Sequence, residues 1–544
     1  MKYKYIWLFT LLVGFLSCEE IESPIPEAVL LPELTTGSVD FSNYVAVGAS
    51  FTAGFTDGGL FIASQQNSFP NILAKEFAKV GGGEFKQPLM ADNTGGILVG
   101  GNVARGYRFT FNSETSTPQS LDTFLTGLGA SVPPITTEAG ISLGSDFNNF
   151  GIPGAKSWHL LAPGYAGANP YYARIASGPT ATVVGDAIAQ NPTFFTLSEV
   201  GGNDVLGYAL SGGDGTDIIT PVAGPPGVGF NESFGALVNT LTSNGAKGVV
   251  TNVPYVKDLP HFTTVPFKPL SPANPDFVDQ IPTLNGIFGQ LNQVFAFLES
   301  QGIPNATERQ IVFSQTEASA VVIHDESLAN LSTNIADVLK LSPTFPAFVE
   351  ALGLPAEVAP VVADLFGFVY GQARQANEND LLVLPSSAVI GTVNTNSVAF
   401  LMSQGVPQQL AGQFSAEGIT FPLEDKWVLL PSEQDDIKIA TDAYNVTIAS
   451  IASSNDNVAL VDLNSILTEA STMGIDFDGF NLSTDLVTGG TVSLDGFHLT
   501  ARGYAFMANK FLEAIDTSFG TNFIASGNVA KASSYPTFYS PLLQ

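Results

Sequence analysis

One cysteine in 544 residues excludes an intrachain disulfide, and with it the stapled scaffolds of small secreted domains. Four histidines leave little room for a multi-histidine metal site, and His261 and His324 lack the neighbouring Cys or His that metal spacing requires. Positive charge is also scarce. Twenty Lys and Arg stand against 50 Asp and Glu, a net charge of −30, so nucleic acid, an acidic polymer and an anionic lipid surface are poor electrostatic partners. Charged residues make up only 13% of the chain while hydrophobic ones reach 45%, the opposite of a disordered composition. A sizeable core follows. The length suits either three ordinary domains or one α/β domain with large insertions. After the first 16 residues no stretch reads as a membrane span.

The lone Cys is explained by what precedes it. Lys2 and Lys4 lead into the apolar run Tyr5 to Leu16, followed by Ser17 and Cys18: a positive start, an apolar stretch of signal-peptide length and a small residue before the Cys. The run is too short to span a bilayer in a finished protein. Phe15-Leu16-Ser17-Cys18 resembles a bacterial lipoprotein processing signal, although Phe15 is a less usual occupant of its position. The resemblance implies removal of residues 1–17 and membrane attachment through an acylated Cys18. Glu19, Glu20 and Glu22 would flank the lipid, similar to the acidic flank of lipoproteins sent to the outer membrane in Bacteroidetes. The expected location is therefore the bacterial outer membrane, on its periplasmic or cell-surface face. Residues 18–40 read as an acidic, Pro-rich tether, 41–520 as the main domain and 521–544 as a C-terminal extension.

Along the main domain, strand and helix patterns alternate. Strands are expected at Tyr44 to Val47, Phe194 to Ser198, Lys247 to Val253, Ile311 to Phe313, Val321 to Ile323 and Val458 to Val461. Helices are expected at Asn71 to Val80, Phe230 to Thr242, Leu284 to Ser300, Tyr444 to Ala452 and Ala501 to Ile515. Residues 81 to 145 are rich in Gly, Thr and Ser and read as long loops with short strands. Alternation of this kind predicts a mostly parallel sheet covered on both faces, in which sites collect beyond the carboxyl ends of the strands. Three small-residue turns stand at such places: Gly48-Ala49-Ser50, Asn149 to Gly154, and Gly201-Gly202-Asn203-Asp204.

A hydroxyl in a small-residue turn after a strand is held outward with little crowding, but a turn serine alone is weak support for a nucleophile. Asp495-Gly496-Phe497-His498 says more. A carboxylate three positions before an imidazole can hold one ring nitrogen while the other faces a hydroxyl. The following helix carries an apolar stripe, Ala501, Tyr504, Ala505, Ala508, Phe511, Leu512 and Ile515, which anchors that loop, and Thr500 is placed to cap it.

Gly48-Ala49-Ser50, Gly154, Gly202-Asn203-Asp204 and Asp495-x-x-His498, in that order, resemble the four blocks of the SGNH hydrolases, the GDSL esterase and lipase family. The likeness runs from about Asn43 to Phe519, and it is nearest in look to lipoprotein members from Bacteroidetes through Asn252-Val253-Pro254, His324 to Leu328 and the Asp495 to Ala505 run. It implies a three-layer α/β/α sandwich with a central, mostly parallel sheet of the SGNH or flavodoxin-like kind, here with large insertions. It also implies a serine ester hydrolase that needs no cofactor or metal. Ser50 would be the nucleophile, His498 the general base and then acid, and Asp495 the group that orients the imidazole. The oxyanion would meet the backbone N–H of Ser50 and Gly154 and the side-chain amide of Asn203. Gly151, in the same turn as Gly154, is the alternative backbone donor, and Asp204 is expected to brace its turn.

There are departures. The family name has Asp before the nucleophile and Leu after it; this chain has Ala49 and Phe51, which puts the support of the Ser50 turn in doubt. Leu341 to Tyr370 is densely apolar and divided by Pro343, Pro346, Pro355 and Pro360. It reads either as helices packed on the domain edge or as a cap at 341–370 that recognises an acyl chain. The expected substrate is a small-molecule or lipid ester with a fatty acyl group. A carbohydrate acetylesterase and a noncatalytic surface binding lipoprotein remain the alternatives, and the oligomeric state is open. His159 reads as a packed or rim residue, and Asp214-Gly215-Thr216-Asp217 only partly matches a calcium loop.

Overall fold

The computed structural model describes residues 31–543. The expected signal peptide, Cys18 and most of the expected tether lie outside the described residues. Five strands form one parallel sheet: β1 (Tyr44–Gly48), β2 (Asn149–Gly151), β3 (Phe194–Ser198), β4 (Lys247–Thr251) and β5 (Val458–Val461), in the order β5-β4-β3-β1-β2. Alternation of side chains sends Val45, Val47, Phe195, Leu197 and Val250 into one core. Tyr44, Ala46, Phe194, Val249 and Ala459 enter another on the opposite face. Helices cover both faces because strands apolar on both sides cannot meet water on either. The result is a mixed α/β fold in three layers, α/β/α.

The helices that position the site are α1 (Ser50–Ala53), α2 (Phe69–Phe77), α3 (Gly202–Leu210), α4 (Phe230–Thr242), α5 (Ile281–Ser300), α6 (Pro431–Ser453), α7 (Leu463–Thr472) and α8 (Ala501–Phe519). The first core takes Phe230, Phe234 and Leu237 from α4 with Ile437, Tyr444 and Ile448 from α6. The other takes Phe69, Ile72 and Leu73 from α2 with Phe511, Leu512 and Ile515 from α8. The Thr500 hydroxyl accepts the Gly503 N–H at 2.9 Å and caps α8, which stops at Gly520 in the left-handed region.

Three local expectations are corrected. Asn149 to Gly151 is a short edge strand rather than part of a turn, because its backbone completes the ladder beside β1. Ile311 to Phe313 is no strand: the amides of Asn292 and Asn285 on α5 bond both N–H and C=O of Ile311 and Phe313, so side chains take the place of a neighbouring strand. Helix α6 starts well before Tyr444, with Pro431 in its first turn and Glu433 Oε2 accepting the Leu430 N–H at 2.7 Å.

Residues from about 265 to 430 build a lobe with its own core, in which Phe288 and Leu291 of α5 meet Ile335, Phe345, Val349 and Phe366. The stretch that reads as helices or a cap is helical over Phe345–Ala351 and Ala359–Tyr370. Its buried side chains face this lobe core. Residues after Gly520 return to the body, where Phe523, Ala530 and Ala532 join the α8 core. Among the described residues no helix is long and apolar enough to cross a membrane.

Candidate active site

Gly48 ends β1 between its register partners Gly151 of β2 and Ser198 of β3. The turns that follow these three strands therefore leave the same sheet edge side by side. From the central strand comes Ser50, half-buried, at the first position of α1, where a backbone N–H has no intrahelical acceptor.

The β2 turn distinguishes its two glycines. The Gly151 N–H donates to Asn149 Oδ1 at 2.9 Å, and a Cβ at Gly151 would lie 2.2 Å from Ala53 N. Gly151 is thus a close-approach residue with its donor engaged. Gly154 is exposed, sits at φ +78° and has open space where a Cβ would stand, so a ligand atom can come near its backbone.

Asn203 lies in the first turn of α3, and its Nδ2 donates to the Ala155 carbonyl at 3.0 Å. An amide NH₂ has two hydrogens; the one given to Ala155 ties the side chain to the Gly154 turn and leaves the other free. Asp204, fully buried, accepts from the Ser157 N–H at 2.9 Å and the Ser157 hydroxyl at 2.6 Å. It braces α3 against the β2 turn, as expected.

The acid–base loop comes from far along the chain. His498 Nδ1 lies 2.8 Å from Asp495 Oδ2, and both residues are buried, 5% and 6% exposed. Asp495 Oδ1 accepts from the N–H groups of His498 (2.9 Å) and Phe497 (3.1 Å) and from the Ser493 hydroxyl (3.1 Å). The Gly58 N–H donates to Oδ2 at 2.7 Å. Burial by itself would raise this carboxyl, but His498 and the surrounding N–H groups outweigh it and hold Asp495 well below the usual carboxylate range. An ionised Asp495 accepts a hydrogen bond from the Nδ1–H of the imidazole and leaves Nε2 with its lone pair. Phe55 packs 4.5 Å from the His498 ring, and Phe51, the residue after Ser50, lies 6.0 Å from it. Ser50 and His498 thus stand on adjoining segments. No hydrogen bond joins their side chains.

Two acids that sequence reasoning did not single out serve the same region. Asp57, buried and at φ +52°, accepts the Leu494 N–H at 3.1 Å, while its own N–H donates to the Ser493 hydroxyl at 3.0 Å. Burial pushes its carboxyl up to about 7 against the pull of that N–H, and the neighbouring Asp495 adds to the rise. Glu199, directly after β3, accepts the Phe51 N–H at 2.8 Å and the Thr52 N–H at 3.3 Å. The one available signal was an acid at a strand end next to a glycine turn; its partners are about 150 residues away. Tyr504 adds a further tie, its hydroxyl donating to the Phe55 carbonyl at 2.6 Å.

Beside the loop opens a small apolar cavity, lined among others by Phe51, Leu463, Ile466, Phe497, Leu499 and Phe506. No residue from 341 to 370 lines it. Phe345, Val349 and Phe366 belong to the lobe core, where a separate small cavity is lined by Leu352, Val362, Phe366 and Phe414 among others.

The remaining candidates take structural places. The His159 ring stacks on Tyr165 at 4.4 Å and its Nδ1 accepts the Lys156 N–H, with burial and Lys156 pulling it down to about 4. His261 is buried beneath the acid–base loop, and its N–H donates to the Gly496 carbonyl at 3.0 Å. His324 ends a short strand, Val322–His324. In the Asp214 to Asp217 loop, Asp217 pairs with Lys156 at 2.7 Å and Asp214 accepts the Thr216 N–H. Among the described residues, one carboxylate group has oxygens close enough to share a cation: Glu326, Asp425 and Glu433, within 4.8 Å of one another. Burial, and after it the charge of Glu326, pushes Asp425 and Glu433 upward.

A scan against protein-family models and searches of the curated proteins and of the solved structures each found no match for this chain.

Proposed function

We propose that this protein is a serine ester hydrolase of the SGNH kind, acting on fatty acyl esters from a lipid anchor at Cys18 in the outer membrane. The observation that carries the reading is the buried His498–Asp495 pair at 2.8 Å, on a loop that reaches the Ser50 end of the sheet. Further support comes from the register that sets the Ser50, Gly154 and Asn203 turns on neighbouring strands.

Ser50 Oγ attacks the ester carbonyl carbon as its proton passes to His498 Nε2. The carbonyl oxygen becomes an anion in reach of the Ser50 and Gly154 N–H groups and the free Asn203 amide hydrogen. These neutral donors cannot take a proton in place of His498. The imidazolium is stabilised by Asp495, which stays ionised. Collapse of the tetrahedral adduct breaks the ester C–O bond, and the alcohol leaves with the proton from His498. Water then attacks the acyl-Ser50 ester by the same route, with His498 again as base, and releases the carboxylic acid.

The apolar cavity beside Phe51 and Phe497 favours a fatty acyl group over acetyl, because each buried methylene contributes about 0.8 kcal/mol. The test uses p-nitrophenyl acetate and laurate with wild type and Ser50→Ala, and a fluorophosphonate probe located by peptide mass spectrometry. Turnover with preference for laurate, a label on Ser50 and loss of both in Ser50→Ala are expected. A folded wild type that neither turns over nor labels removes the reading and favours the binding lipoprotein.

A further inference from the structure

Helix α1 needs a cap and does not find one in its own sequence. Ala49 occupies the N-cap position and has no side-chain acceptor, so the N–H groups of the first turn must be satisfied from elsewhere or remain unpaired. Glu199 reaches them from the neighbouring strand. It is 8% exposed, and its Oε1 accepts from Phe51 at 2.8 Å and Thr52 at 3.3 Å, the second and third helical positions. Its backbone is held in place for this. Glu199 sits at φ +54°, a region that non-glycine residues occupy at a cost, and its N–H donates to Thr251 Oγ1 on β4 at 2.9 Å. The Ser50 N–H, at the first position, is not among the groups Glu199 takes.

We infer that Glu199 is the positioning residue of the Ser50 turn. Its carboxyl oxygen Oε1 caps α1 from the adjacent strand in place of the side chain that Ala49 lacks, and so leaves the Ser50 N–H and hydroxyl to the ester. This rests on the ester hydrolase reading, but the cap itself is a separate physical claim. A cap in cis would sit on the chain segment that must approach the substrate. A cap from β3 is carried by the sheet, whose register already aligns Ser198 with Gly48. It fixes α1 to the strand that also leads to Asn203.

The surroundings give the cap a pH signature. Around the Glu199 carboxyl stand Ala49, Phe51 and Thr52 at the start of α1 and Tyr504 of α8. Of these only Tyr504 titrates, and burial keeps it neutral far above the physiological range. Glu199 Oε2 has no hydrogen-bond partner among the described residues. Burial therefore dominates and pushes the Glu199 carboxyl up to about 8, against the pull of the Thr52, Phe51 and Ala49 N–H groups. The folded protein holds this proton more tightly than the unfolded chain does. Stability is then lost as pH rises from the ordinary glutamate value through about 8. A glutamine at 199 keeps the acceptor oxygen without the proton.

The test compares the full chain with Glu199→Ala and Glu199→Gln. Hydrogen exchange of the peptide over residues 48–55 should speed up about 10-fold in Glu199→Ala and stay near wild type in Glu199→Gln. On p-nitrophenyl esters kcat should fall about 10²-fold in Glu199→Ala with little change in KM, since the nucleophile is displaced and not removed. Glu199→Gln should keep most of kcat, and its Tm should exceed that of wild type by a margin that grows from pH 5 to pH 9. If Glu199→Ala does not fold, the exchange and pH–Tm measurements on Glu199→Gln decide. Unprotected amides over 48–55 in a folded Glu199→Gln, or a Tm margin independent of pH, would overturn the inference. So would a folded Glu199→Ala with unchanged exchange and kcat. If wild type turns over no ester while Glu199→Ala still releases those amides, the cap stands and the hydrolase reading falls.

Discussion

The sheet body and the 265–430 lobe both bury charged groups, and they treat them differently. In the lobe, Arg374 pairs with Asp325 and Asp380 at 2.6 Å each, all three nearly buried, and the carboxylates are further bonded by Ser327 and Asn377. Charge meets opposite charge and the group is closed. In the body, no Lys or Arg forms an ion pair with Glu199, Asp57 or Asp495 among the described residues; Asp495 has only His498 at 2.8 Å, and Arg108 draws the Asp57 carboxyl down without pairing to it. The oxygens of these three acids meet backbone N–H groups from distant segments: α1, the loop before Asp495, and that loop's own turn. A closed ion pair holds its partners and little else. A carboxylate spread over N–H groups fixes the path of the backbone, which is what a site built from turns requires.

This contrast is open to test, starting with the largest effect. His498→Ala should lower ester turnover by about 10⁴-fold or more, and Asp495→Asn should approach that loss because the imidazole then sits in the wrong tautomer. Both should remain folded by circular dichroism. Steady-state kinetics on p-nitrophenyl butyrate measures the change, and a His498→Ala enzyme with most of its activity would end the assignment of the base.

Arg374→Ala should cost about 3–5 kcal/mol of stability, since it strands two buried carboxylates, while the folded fraction keeps its kcat. Urea unfolding and active-site titration read the two quantities. A folded Arg374→Ala with lost kcat would mean that the lobe takes part in the chemistry and would break the comparison.

In the proposed mechanism Asn203→Ala removes one of three donors to the oxyanion and should reduce kcat about 10²- to 10³-fold, less than His498→Ala. Unchanged kcat would move the oxyanion away from α3.

Ile466→Phe fills part of the cavity beside Phe51 and Phe497. It should lower kcat/KM for laurate about 10-fold while acetate hydrolysis changes little. The matching change in the lobe, Phe366→Ala, should lower Tm and leave chain-length preference alone. A shift in preference from Phe366→Ala instead would restore 341–370 as an acyl cap.

What could be read from the chain alone was short-range. Tyr44 to Gly48, Phe194 to Ser198 and Val458 to Val461 are apolar on both faces, the first two ending in small residues, and each is a strand of the parallel sheet. Asp495 and His498 were legible because their contact spans three positions and needs only one turn. Ser50, Gly154 and Asn203 were legible as turn residues, and their adjacency was not, since it depends on the order β3-β1-β2. The strand expected at Ile311 to Phe313 was misread because apolar runs say nothing about which partner takes their hydrogen bonds, and here the partners are amide side chains on α5.

The sequence by itself determined the two-faced strands, the capped helix α8, the acid–imidazole spacing and the apolar density of 341–370. These follow from periodicity and from contacts a few residues long. Only the tertiary structure decided that Gly154 and not Gly151 is open, that the apolar stretch 341–370 faces the lobe core, and that Glu199 and Asp57 support the Ser50 and Asp495 segments. The physical reason is the same in each case. A glycine is open, a face is buried or a carboxylate is engaged according to what folds against it, and those neighbours come from tens to more than 400 positions away, as the Asp57–Leu494 bond shows with its separation of 437.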